Sequence, residues 1–186
     1  MLHNWELLES KELAKYKVFG IRADRKRFGR TGTEHTFYLI ESPDWVNVVA
    51  VTRNHELVMV EQYRHGSGTV ELEIPGGIID PGDGSPEAAA ARELAEETGY
   101  VGKVYGVISW VYANPAIMTN RAYTVLVTGC EIQEETKFDP TEDLVTRLVP
   151  IEQINSLVIS GAIRHPLVLV ALYNFDLLLR SGRLAI

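Results

Sequence analysis

The segment from Glu73 to Gly99 constrains the fold most, because it specifies a loop, a helix and both ends of that helix. Glu73-Ile74-Pro75-Gly76-Gly77-Ile78-Ile79-Asp80-Pro81-Gly82-Asp83-Gly84 is a glycine-rich loop. Ser85-Pro86-Glu87 follows, with an N-cap serine, a proline suited to the first helical position and an acid in the first turn. Ala88 to Ala91 strongly favours helix, and Gly99 provides the left-handed stop. The pattern predicts a helix from about Pro86 to Thr98. Glu93, Glu96 and Glu97 stand at i, i+3 and i+4, so they share one helical face. Each exposed like-charge pair costs a few tenths of a kcal/mol, and more when partly buried. A counter-charge is therefore required. Arg92 supplies one, and a hard cation such as Mg²⁺ or Mn²⁺ supplies several. Taken alone, the helix also reads as a solvated, charge-laced surface helix. The preceding loop, whose backbone can approach a ligand closely, favours a site.

The remaining chain is mixed in pattern. Strand-like composition occurs at Lys15–Ala23 and Thr33–Ile40 around the basic turn Asp24–Gly32, which predicts a hairpin. Further strands are expected at Val46–Thr52, Glu56–Tyr63, Thr69–Ile74, Val101–Tyr112, Ala122–Thr128 and Val145–Pro150. Helices are expected at Ile151–Ser160 and Pro166–Leu179, the latter with a broad apolar face. Strands and helices do not strictly alternate, so the class is mixed α/β. An N-terminal strand extension over residues 1–45 precedes a main domain over residues 46–186.

The 186 residues suffice for a full core. A net charge of −7 argues against a general nucleic-acid binder, which presents a basic face. Cys130 is the only cysteine, which excludes an intramolecular disulfide and fits a reducing compartment. Asn4, Glu6, Glu9 and Lys11 occupy the place of an apolar leader, and the apolar stretch Pro166–Leu179 is too short to span a bilayer. A soluble, cytoplasmic protein without membrane partners is expected.

Arg92-Glu93-Leu94-Ala95-Glu96-Glu97-Thr98-Gly99-Tyr100 resembles the closing half of the Nudix box, with Gly77 as the box's opening glycine. The opening half departs from the consensus. Asp83 stands where a glutamate is usual, and eight residues rather than seven separate it from Arg92, with Gly84 as the insertion. The resemblance covers roughly residues 45 to 180 and implies a Nudix-type α/β/α sandwich with a mixed sheet, plus the N-terminal β-hairpin. It implies Mg²⁺-dependent hydrolysis of a nucleoside diphosphate linked to another group, with Mn²⁺ as a substitute. Glu93, Glu97 and Glu96 match the family's metal-binding glutamates, the Gly76 carbonyl matches a further ligand, and Arg92 matches an orienting residue. Paired with Glu96 at i+4, Arg92 also reads as a surface ion pair. An acid from the Glu131–Asp143 cluster is expected to complete the metal site or act as general base, Glu142 first, then Asp139 and Asp143.

The substrate class rests on further resemblances. Gln62-Tyr63-Arg64 before the box, and Glu73 four residues before Gly77, look like ADP-ribose and sugar-nucleotide pyrophosphatases. Arg64 would then contact the diphosphate and Glu73 a ribose or water. Pro115 stands where ADP-ribose hydrolases carry a proline, but its surroundings lack the commonest subgroup's Ser-Pro-Gly, which leaves other nucleoside diphosphate sugars open. Arg121 could face the distal sugar or phosphate. The resemblance thus points to a nucleoside diphosphate sugar pyrophosphatase with ADP-ribose as leading substrate, yielding a nucleoside monophosphate and a sugar phosphate. A nucleoside triphosphate or dinucleotide pyrophosphatase is the alternative, and a non-catalytic sugar-nucleotide sensor a more distant one. The N-terminal strands, whose edges need covering, predict a homodimer.

Overall fold

In the computed structural model, residues 4–138 and 143–184 are described. The chain divides into two compact units: one ends at Asp44 and includes Tyr112–Arg121, and the other holds Trp45–Val111 and the chain from Ala122 onward.

The first unit is a three-stranded antiparallel meander of β1 (Trp5–Lys15), β2 (Gly20–Phe28) and β3 (Glu34–Glu41). The predicted hairpin becomes three strands, and the segment Lys15–Ala23 contains the β1–β2 turn. The reason is electrostatic. Glu6 and Glu9 pair with Arg27 and Arg25 across β1 and β2, while Arg22, opposite Glu12, turns its guanidinium to Asp24 and to Glu41 of β3. A bulge between Leu7 and Glu9 keeps Glu6 and Glu9 on one face, opposite their arginines. Asp24 is buried on β2. Burial pushes its carboxyl upward, but the Ser10 hydroxyl at 2.7 Å, Arg22 at 3.0 Å and Lys26 at 3.4 Å bring it below its ordinary value. Trp5 stacks on Phe28 and meets the edge of Phe37. Tyr112–Arg121 joins this unit through bonds from Ile40 N–H to Ile117 O and from Thr119 N–H to Ile40 O.

The second unit contains β4 (Trp45–Thr52), β5 (Glu56–Arg64), β6 (Thr69–Glu73), β7 (Gly76–Ile78), α1 (Pro86–Thr98), β8 (Tyr100–Tyr112), β9 (Arg121–Ile132), β10 (Leu144–Pro150), a 3₁₀ turn (Ile151–Gln153), α2 (Ile154–Ile159) and α3 (Pro166–Arg180). The sheet runs β10-β5-β4-β9-β8, with β6 on β5 and β7 on β4. It is mixed: β4 and β9 are parallel, while β5 pairs antiparallel with β10, β4 and β6. Strand β4 is apolar almost throughout because it is covered on both faces. Val46, Val48 and Ala50 pack with Ala89, Ala90 and Leu94 of α1. Val49 and Val51 pack with Val168, Leu172 and Phe175 of α3. This is the expected α/β/α sandwich. Among the described residues, no helix is long and apolar enough to cross a membrane.

Cys130 is buried, and burial pushes its thiol up to about 11. It packs against Gly102 of β8, where a Cβ would lie 2.8 Å from Cys130 Sγ, 2.8 Å from Thr128 O and 2.9 Å from Val127 Cγ1. Gly102→Ala is therefore expected to destabilise the protein by about 1–3 kcal/mol in urea unfolding. Gly66→Ala, with nothing within 4 Å of its added Cβ, should change stability by no more than about 1 kcal/mol.

Candidate active site

The site is built where β7 meets α1. Helix α1 starts and stops as its sequence dictates: Ser85 Oγ accepts the Ala88 N–H at 3.2 Å, and Gly99 at φ 73° donates to Ala95 O. Strand β7 is a three-residue strand paired with β4, a segment read from sequence as loop. The approach is so close that a Cβ on Gly76 would collide with the Val46 carbonyl, and one on Gly77 would collide with the Glu93 carboxylate. Both glycines thus mark contact surfaces. Glu97, 4% exposed, accepts the Gly76 N–H at 3.1 Å. The loop backbone and two of the three predicted glutamates are thereby brought together.

Arg92 joins the loop to the helix. Its Nε and Nη2 form a fork on Asp83 at 2.8 and 2.9 Å, and Nη2 also donates to Ile78 O at 3.1 Å. Its Nη1 lies 3.0 Å from Glu96 Oε2 and 3.0 Å from Glu93 Oε1. The sequence marks Asp83 as a departure from the box. In the fold it is the partner of Arg92, reached across nine residues and itself held by the Asp80 N–H at 2.7 Å. Gly84, the additional loop residue, takes a φ of 75° immediately before the N-cap.

Arg64 and Glu73 are also brought together. Arg64 forks the buried Glu73 carboxylate at 2.8 and 2.9 Å, across the β5–β6 pair. Both residues line a cavity of about 260 Å³ beside the Gly76–Gly77 backbone, with Trp45, Asn47 and His165. His165 on this wall was not singled out in the sequence, where nothing distinguishes it from an ordinary helix-end residue. Pro115 and Arg121 belong to the other unit, where the Arg121 N–H donates to Asp44 Oδ1 at 2.7 Å. Asp143 is exposed at the entry to β10. Glu142 and Asp139 lie outside the described residues.

The donor set suits a hard cation. Glu93, Glu97, Glu96 and the Gly76 carbonyl offer only oxygen, which Mg²⁺ and Mn²⁺ take. Among the described residues, no group of three His, Cys, Asp or Glu side chains is gathered as a metal cage. Mg²⁺ does not require one, because it keeps several waters and binds through one or two carboxylates with substrate oxygens.

The fork has a consequence for stability. The Arg92 guanidinium holds the Asp83 carboxyl below its ordinary 3.8, and Asp83 in turn raises the guanidinium above its usual range. The folded state therefore binds this proton less readily than the unfolded chain. The stabilisation is complete above the unfolded carboxyl's pKa and is lost as pH falls through the lower native value. Asp83→Asn should cost about 1–2 kcal/mol at neutral pH. It should also flatten the acid limb of a stability-versus-pH curve below about pH 4.

The sequence profile of the NUDIX domain family matches residues 42–172. The chain is 28% identical over 172 residues to an ADP-ribose pyrophosphatase of Mycobacterium tuberculosis, covering 87% of this chain and 83% of that protein. It is 41% identical over 108 residues to an ADP-sugar pyrophosphatase of Mus musculus, covering 54% of this chain and 49% of that protein. It is 32% identical over 121 residues to an ADP-ribose pyrophosphatase of Bacillus subtilis, covering 64% of this chain and 65% of that protein. A solved structure described as the crystal structure of an ADP compounds hydrolase has the same fold, with a TM-score of 0.85 at 21% identity over 99% of both chains. With the box glutamates in place and the profile spanning well over half of its length, the chain belongs to the Nudix hydrolase family.

Proposed function

We propose that this protein hydrolyses a nucleoside diphosphate sugar, with ADP-ribose as leading substrate, in a Mg²⁺-dependent reaction. Water adds to one phosphorus of the diphosphate, the bond to the bridging oxygen breaks, and a nucleoside monophosphate and a sugar phosphate leave. The observation that carries the reading is the likeness to the Mycobacterium tuberculosis ADP-ribose pyrophosphatase over 87% of the chain, combined with an intact glutamate triplet beside the Gly76–Gly77 loop.

When bound, Mg²⁺ supplies neutralisation of phosphate charge and activation of water; Glu93, Glu97, Glu96 and the Gly76 carbonyl would hold it. The chain's own residues do the rest. Glu97 is kept in one orientation by the Gly76 N–H, and Glu93 by its packing against Gly77. Arg92 balances Glu93 and Glu96 while Asp83 fixes its plane. Arg64, steadied by Glu73, contributes directed N–H groups to the cavity wall for the diphosphate. Glu142 is the proposed base for the attacking water, and Pro115 and Arg121 are proposed substrate contacts.

A test is turnover of ADP-ribose, ADP-glucose, GDP-mannose, NADH and dGTP with Mg²⁺ or Mn²⁺, read as released phosphate esters. Cleavage of a diphosphate sugar is expected, and no cleavage of any of them would sink the reading. Glu97→Gln should lower kcat by about a hundredfold or more, and wild-type turnover in that variant would remove Glu97 from the site.

We also propose a cytoplasmic homodimer formed through the N-terminal strands. Two features support it: β1 is an eleven-residue edge strand, and Leu7 and Leu13 on it are about half exposed. Sedimentation equilibrium should give twice the chain mass, and Leu7→Glu with Leu13→Glu should halve it. A monomeric wild type would refute the dimer.

A further inference from the structure

A second, larger cavity adjoins the candidate site, and apart from Arg64 its lining has no part in the reaction described above. Its volume is about 580 Å³, against about 260 Å³ for the cavity at the Gly76–Gly77 loop, and Arg64 and His165 line both. The smaller cavity lies below the roughly 300–1,000 Å³ of an ordinary small-molecule site. A nucleoside diphosphate sugar must therefore reach beyond it.

The wall of the larger cavity is organised by β6. Thr69, Glu71 and Glu73 alternate along that strand and share one face. Glu71 and Glu73 are buried, at 6% and 2% exposure. Each is forked by one guanidinium: Glu73 by Arg64, and Glu71 by Arg164, whose Nε and Nη2 both lie at 3.2 Å. Thr69 adds a hydroxyl to Glu71 at 2.6 Å. Two residues along a strand span about 7 Å, so Glu71 and Glu73 leave the backbone at roughly that spacing. The buried carboxylates hold guanidiniums that are themselves 40% and 55% exposed. Arg164 Nη1 takes no part in the fork on Glu71.

His165 supplies the second observation. It is the N-cap residue of α3, yet its side chain makes no capping bond. Its Nδ1 is buried with no hydrogen-bond partner among the described residues. Buried polar atoms are rarely left in that condition, and because the ring itself lines the cavity, a turn of the imidazole that brings Nδ1 to the cavity would let a ligand oxygen complete it. Pro166, the first residue of the 15-residue α3, lines the same cavity and brings the positive end of the helix dipole with it. The paired carboxylates cancel the arginine charge, so attraction comes from directed N–H groups.

We propose that this cavity is a subsite for a phosphate monoester carried by the substrate beyond its scissile diphosphate, bound by Arg164 and His165. The proposal rests on the diphosphatase reading given above. It names a substrate class with a third phosphate.

The test compares ADP-ribose with two relatives, one phosphorylated on the terminal ribose and one on the adenosine 2′-hydroxyl. KM is read from turnover. Kd is read by calorimetry with Mg²⁺ in the Glu97→Gln background, where turnover is not required. One phosphorylated compound should bind about tenfold more tightly than ADP-ribose, equivalent to 1.4 kcal/mol. Arg164→Gln and His165→Gln should each bring that ratio to within about twofold. His165→Gln leaves the Arg164–Glu71 pair in place and remains decisive if Arg164→Gln does not fold. Equal Kd values for the three compounds, or an advantage that survives both substitutions, would overturn the subsite. Inorganic phosphate is the control ligand. Its binding, lost in Arg164→Gln while the three compounds bind equally, would assign the cavity to free phosphate and overturn the substrate claim. A tenfold Kd advantage without turnover of any compound would keep the subsite and reject the diphosphatase reading.

Discussion

The guanidinium of Arg92 is the interaction on which the candidate site depends. Three carboxylates within one turn of α1 repel one another, and a half-buried Asp83 adds a fourth negative charge nearby. Arg92 meets Asp83 and the Ile78 carbonyl on the loop side, and Glu93 and Glu96 on the helix side. A lysine would present a point charge, whereas the planar fork can hold two groups at fixed angles. Loop and helix are thus joined by one side chain, and the carboxylates are oriented before any ligand arrives.

The second constraint is the closeness of β4 to β7. Strand β4 is buried on both faces, between α1 on one side and α3 on the other, so it is among the least movable parts of its unit. Gly76 sits directly against the carbonyl of Val46 on that strand. The backbone that faces Glu97 is therefore referenced to the core rather than to a free loop. The same reasoning applies to Arg64 and Glu73, which are positioned by the β5–β6 ladder and by the burial of Glu73. Precision at the site is inherited from packing.

Helix α1 was fully legible, because Ser85, Pro86 and Gly99 act on backbone groups within a few residues of themselves. The apolar runs of β4 and β5 were legible for a related reason: strands covered on both faces carry that composition. The N-terminal unit was less so. Its strands carry charged residues and little regular alternation, and across β1 and β2 Glu6 and Glu9 pair with Arg27 and Arg25. Those pairs span up to 21 positions, as for Glu6 and Arg27, and have no local signal. Strand β7 was read as loop because Gly-Gly-Ile has no strand propensity of its own, and pairing with β4 makes it a strand.

By itself the sequence determined the helix, its ends, the shared face of Glu93, Glu96 and Glu97, the mixed α/β class and the family resemblance. All of these follow from spacing along the chain. Only the tertiary structure decided that Asp83 is the brace of Arg92, that Glu73 holds Arg64, and that His165 and Arg164 stand on the wall of an adjoining cavity. The Arg164–Glu71 pair joins residues 93 positions apart. Which buried carboxylate meets which cation depends on strand register and on where helices land. Those are set by the burial of apolar faces in the whole unit rather than by any local pattern.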